Sequence, residues 1–227
     1  TTSDIQTDYL NDEVEKKMKK AKEIHQDFFL HRSTELAIGD SHVTAYSRKM
    51  QPCIRRNGMT LHGALRDGFF LKEILRIQNE GVELANVTLV GGNIDIRHHI
   101  HRQPDPLQAA LDLAAEFVGA AEEIEELTGV IVELATPPPG EHAGRKIPKT
   151  GYYEGAPYAG TVEERAEYVD AFTDFIQDIW DGAHVSPPVE WFEMDPEEYA
   201  KEHMELSSSV HVAPTSYRKE GMWPCTK

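Results

Sequence analysis

The sequence predicts a three-layer α/β/α sandwich built on a central, mostly parallel sheet. Three observations carry that prediction. Short apolar runs alternate with longer segments of helical periodicity, the pattern of parallel strands joined by right-handed crossovers with helices on both faces. Two of the runs end in glycine turns, Gly39-Asp40-Ser41 and Gly91-Gly92-Asn93, and in such sheets ligands bind beyond the carboxyl ends of the strands. The 227 residues, 40% hydrophobic and 27% charged, suit one α/β domain with a buried core and room for additions.

The elements follow in order. Residues 8–30 predict an amphipathic helix packed on the domain, with Leu10, Val14, Met18, Ala21, Ile24 and Phe28 at spacings of three and four. Residues 31–188 form the predicted domain. Within it, Glu35 to Ile38 predicts a buried strand, and Pro52 to Arg56 a second, closed by the Asn57-Gly58 turn signal. Leu61 to Gln78 predicts a helix that Gly68 breaks and Gly81 stops. Val87 to Val90 is the clearest strand. A helix then starts at Pro104-Asp105-Pro106, with Asp105 as N-cap, and ends at Gly129. Val130 to Leu134 predicts the next strand. Residues 136–160, rich in Pro, Gly and Tyr, predict a long loop acting as a lid or subunit contact. Thr161-x-x-Glu164 is a capping box opening a helix that runs to Asp181. The segment Asp181 to Pro187 is turn-prone. Residues 189–227 form a C-terminal extension with Trp191, Phe192 and Trp223, a candidate surface for homo-oligomer contacts.

Charge and composition exclude several function classes. A formal net charge of −16 argues against nucleic acid or anionic membrane as the main partner, since both call for basic patches. Two cysteines, Cys53 and Cys225, make neither a disulfide framework nor a zinc-binding spacing. No apolar signal region and no run of membrane-spanning length is seen, so the expected location is cytoplasmic. No cofactor or metal is called for.

Three blocks carry chemistry. A serine hydroxyl needs a neighbouring base, and the base needs an orienting partner that stabilises its protonated form. Ser41, at a strand-to-helix turn, is placed to attack, with its own N–H available to an oxyanion. Asn93 offers a side-chain donor at the same sheet edge. Asp181 and His184, three residues apart, pair an orienting acid with a base. Preorganised oxyanion donors of this kind are worth roughly 3–4 kcal/mol each in a transition state.

Taken together, these residues resemble the blocks of the SGNH hydrolases, also called GDSL-type esterases and lipases. The first block is Gly39-Asp40-Ser41 and the third is Gly91-Gly92-Asn93. The last is Asp181-x-x-His184, followed by Pro187 three residues on. The second-block glycine is best matched by Gly58, with Gly63 the weaker match. The resemblance implies the flavodoxin-like SGNH fold and a serine ester hydrolase. In it Ser41, His184 and Asp181 form the triad, and Ser41, Gly58 and Asn93 form the oxyanion hole. The implied substrates are small acyl esters, O-acetyl groups on carbohydrates among them, passing through an acyl-enzyme, and transfer to another alcohol stays open. One departure stands out. Ile94 follows Asn93, so the expected aspartate comes one residue late, at Asp95. The stretch Gly92 to His99 is also similar to a family variant, Gly-Glu-Ile-Asp-x-Arg, in which Asn93 replaces a glutamate. His42, Arg97, Tyr152, Tyr153 and Tyr158 are weaker candidate substrate contacts.

Two other classes compete. Asp40-x-His42 resembles the first metal-binding motif of calcineurin-like phosphoesterases, with His98, His99 and His101 as later ligands, but a Gly-Asp-x-x-Asp block is missing. The other is a non-catalytic relative that binds carbohydrate or a partner.

Overall fold

The structure, a computed structural model, describes residues 34–46, 51–139, 154–155, 159–204 and 211–213. The predicted helix at 8–30, Tyr152, Tyr153, Tyr158 and most of the 136–160 loop lie outside the described residues.

Among the described residues, five strands form one parallel sheet: β1 (Glu35–Gly39), β2 (Cys53–Arg55), β3 (Asn86–Val90), β4 (Ile131–Ala135) and β5 (Ala183–Val185), in the order β2-β1-β3-β4-β5. This order and the helices around it make the predicted three-layer sandwich, with every pairing parallel. The helices are α1 (Val43–Tyr46), α2 (Leu61–Arg66), α3 (Phe69–Asn79), α4 (Pro106–Thr128), α5 (Val162–Ile179), α6 (Val189–Glu193) and α7 (Pro196–His203). A π-turn (Asp95–His99) and a 3-10 turn (Ile100–Arg102) lie between β3 and α4.

The sequence signals explain where elements begin and end. Gly68 takes a left-handed backbone (φ +61°) and divides α2 from α3; residues with a Cβ are strained in that conformation. Asp105 caps α4 by accepting from the Gln108 N–H at 3.1 Å. The Thr161–Glu164 box closes in both directions at the start of α5. β5 is the departure. Residues 183–185 have little strand pattern of their own, and the open edge of β4 supplies their hydrogen bonds, so pairing overrides the local turn tendency.

Strand order decides which face each helix covers. Right-handed crossovers carry every connection that runs from β2 towards β5 over one face. There α2 to α5 build a core with Leu36, Ile38, Val87, Leu89, Val132 and Leu134 of the sheet and Phe70, Phe117 and Phe172 of the helices. Only β1 to β2 runs the other way, so α1, four residues long, stands alone among the described crossover helices on the second face. A parallel sheet must be covered on both faces. The C-terminal segment completes the cover: Trp191, Tyr199, Ala200, Met204 and Val212 pack with Ala37, Val90 and Ala135. A Met204–Val212 bridge and an N–H···O bond of 2.6 Å from Ala213 to His203 tie that segment back on itself. The described residues beyond 188 thus share a core with the sheet. No described helix is long and apolar enough to cross a membrane.

Candidate active site

The first block sits where β1 leaves the sheet. A Cβ on Gly39 would lie 2.3 Å from the Val90 carbonyl oxygen, so only glycine lets β1 and β3 approach there. The Asp40 N–H donates to the same oxygen at 3.3 Å. Ser41 follows half-buried at the head of α1. Asp40 is fully buried, and its Oδ1 accepts from the His42 N–H at 2.8 Å and faces His42 Nδ1 at 3.3 Å. Burial pushes the Asp40 carboxyl upward, but the charge and hydrogen bonds of His42, with Arg97 beyond, outweigh it and hold the group below its usual range.

The third block leaves the neighbouring strand, β3, at the same edge. Asn93 is 8% exposed, and its side-chain Nδ2 has no hydrogen-bond partner among the described residues. An unsatisfied buried donor is costly, and an oxyanion is the kind of group that would satisfy it. The Asn93 carbonyl accepts from Arg97 Nε at 3.0 Å, and Arg97 is itself buried. The displaced aspartate serves the fold. Asp95 Oδ2 accepts from Leu61 N at 2.7 Å and Oδ1 from His62 N at 3.2 Å, capping α2. Burial raises its carboxyl to about 6 against the pull of those bonds.

Several expected residues are not brought to Ser41. Ile38, Leu89, Leu134 and His184 share one register row across β1, β3, β4 and β5. Three strand spacings place His184 about 14 Å across the sheet from Ile38, farther than its side chain can span. Both His184 and Asp181 are exposed, and Asp181 precedes β5, at the sheet end away from Ser41. The Asp181–His184 spacing is that of a turn entering an edge strand, closed by Trp180 Nε1 donating to the Ala183 carbonyl at 2.9 Å. Gly58 lies in an exposed turn just past β2, at the Ser41 edge. The N–H of Gly63 is taken by Thr60 Oγ1 at 3.1 Å.

The histidines after β3 diverge. His98 is buried. His99 lines a cavity of about 300 Å³ with Thr60, His62, Asp95 and Glu116. His101 Nδ1 meets the Tyr168 hydroxyl at 3.1 Å. Among the described residues no cluster of three or more His, Cys, Asp or Glu could hold a metal ion.

The histidine that does reach the site is His211, which sequence reasoning missed. Its ring centroid lies 5.0 Å from that of His42. Burial lowers it to about 4, helped by the positive neighbours His42, Arg55 and Arg97 and opposed by Asp40. A signal existed: His211 is followed by Pro214, the same spacing as His184 to Pro187. Ser208, where the motif asks for aspartate, hid it.

Comparison with known proteins agrees with this geometry at the level of fold. The chain is similar to a structure from Slackia heliotrinireducens assigned to the SGNH hydrolases, with a TM-score of 0.51 and 14% identity over 81% of this chain and 92% of that one. It is also similar to one from Streptococcus pneumonia assigned as a platelet activating factor, with a TM-score of 0.52 and 15% identity over 92% and 96%. No protein-family model and no curated protein sequence matches the chain. The fold is of the SGNH type.

Proposed function

From this fold we propose that the protein is a serine ester hydrolase acting on small acyl esters, O-acetyl groups on a carbohydrate among them. The observation that supports the reading best is the convergence of three groups at one sheet edge. These are the half-buried Ser41, the unsatisfied Asn93 amide and His211 beside His42. Ser41 Oγ attacks the ester carbonyl as His211 takes its proton. The Ser41 N–H and the Asn93 side chain hold the oxyanion. The alcohol leaves with the proton from His211. Water, deprotonated by the same imidazole, then attacks the acyl-enzyme, and as the acid leaves His211 returns the proton to Ser41 Oγ. His211 takes the base role that the motif assigned to His184.

Turnover of p-nitrophenyl acetate tests the reading. Ser41→Ala should abolish turnover and fluorophosphonate labelling with the fold retained. Asn93→Ala should lower kcat by about 100- to 1,000-fold. Turnover persisting in Ser41→Ala would refute the mechanism, and an unlabelled, inactive wild type would leave a binding protein.

A further inference from the structure

The base of a nucleophile–base pair needs a third group to fix its tautomer and orientation. A carboxylate three residues before the base is the arrangement sought in the sequence, but Ser208 occupies that position ahead of His211. We propose that His42, itself anchored on Asp40, is the residue that orients His211. The inference rests on the esterase reading with His211 as base.

Three features of the site support this. First, the anchor is fixed. Asp40 is fully buried, His42 is 2% exposed, and two contacts join them, at 2.8 and 3.3 Å. Second, the anchor sets the tautomer. An ionised carboxylate only accepts, so in neutral His42 the nitrogen facing Asp40, Nδ1, carries the proton and Nε2 presents a lone pair. Third, the neighbour of His42 is His211, ring to ring at 5.0 Å and tilted by 56°, a separation that allows a nitrogen-to-nitrogen hydrogen bond.

These facts combine into one arrangement. His211 donates its single ring N–H to His42 Nε2, and its other nitrogen keeps a lone pair for the Ser41 proton. When His211 takes that proton, the N–H towards His42 stays in place. The new positive charge lies two hydrogen bonds from the Asp40 carboxylate. No proton leaves His42 in the cycle, and the Ser41 proton passes through His211 to the leaving alkoxide. His42 is a positioning residue, acting on substrate only through His211.

The test uses the full chain and two readouts. Nitrogen-15 NMR of the imidazoles should show wild-type His211 as a single neutral tautomer at pH 7. His42→Phe, which removes the acceptor, should mix the tautomers and lower kcat by about 100-fold or more. His42→Gln, whose amide oxygen can still accept, should recover at least tenfold of that loss. The tautomer readout needs no turnover, so it separates failure of this inference from failure of the esterase reading. A tautomeric mixture in wild-type His211 would overturn the proposal. So would a single tautomer retained in a folded His42→Phe, or a folded His42→Phe within threefold of wild-type kcat. If His42→Phe does not fold, the wild-type spectrum and His42→Gln decide.

Discussion

A histidine works as a base only while neutral, so in the proposed mechanism the environment of His211 sets the acid limit of activity. An unperturbed histidine would lose its lone pair below about 6.5. Burial and the positive charges of His42, Arg55 and Arg97 lower His211 to about 4. Lowering the pKa of a base extends its neutral form towards acid. The expected outcome is a kcat/KM profile that stays flat from pH 7 to pH 5 and falls near pH 4. Arg55 is a separable part of that cause. It is exposed on β2, in register with Gly39, and its Nε donates to Asn57 Oδ1 at 2.7 Å. Arg55→Gln removes one positive neighbour and should move the acid limb to higher pH. A limb at 6.5 in wild type, or one that moves down in the variant, would contradict this account. At the same scale, the placement of Ser41 and Asn93 at one sheet edge was legible because each follows a glycine turn that ends an apolar run. His211 was not, because Ser208 stands where the motif asks for aspartate and the Pro214 spacing alone does not single it out.

Elements whose signals are local came out as read. The capping box of α5 is one such signal: Thr161 Oγ1 accepts from Glu164 N at 3.2 Å, and Glu164 Oε2 accepts from Thr161 N at 2.7 Å. Thr161→Ala should cost about 1 kcal/mol, read as a lower urea midpoint, while Thr161→Ser should restore most of it. An unchanged midpoint in Thr161→Ala would mean the box does not support the helix. Asp105 at the head of α4 and Gly68 between α2 and α3 were legible for the same reason, since cap and break depend on residues within four positions. β5 was not legible. Its hydrogen bonds come from β4, some fifty residues earlier in the chain, and no local pattern announces a partner that distant.

The second face of the sheet is a property of the whole molecule. Every connection between the described strands except β1 to β2 runs towards β5, which leaves one short described crossover helix, α1, for the opposite side. The C-terminal segment supplies the missing layer, with Trp191 at 3% exposure against Tyr199 and His203. Trp191→Ala should therefore destabilise the entire fold, by about 3–5 kcal/mol as for a buried aromatic. Equilibrium unfolding should show this as a single shifted transition. A separate early transition would mean that the segment unfolds apart from the sheet. The C-terminal region also places His211 beside His42, so stability and the proposed catalysis share a region that sequence reading had set aside as an extension.

The sequence by itself determined the fold class, the sheet edge that carries Ser41 and the helix caps, because alternation, caps and glycine turns act between residues close in the chain. Only the tertiary structure decided which histidine lies beside His42, the residue next to Ser41. Asp181-x-x-His184 has the expected spacing, yet β5 carries it three strands from β1. His211 lacks that spacing, yet it packs against His42. A spacing motif records covalent neighbours, whereas proton transfer requires spatial ones, and strand order with the cover of the second face converts one into the other.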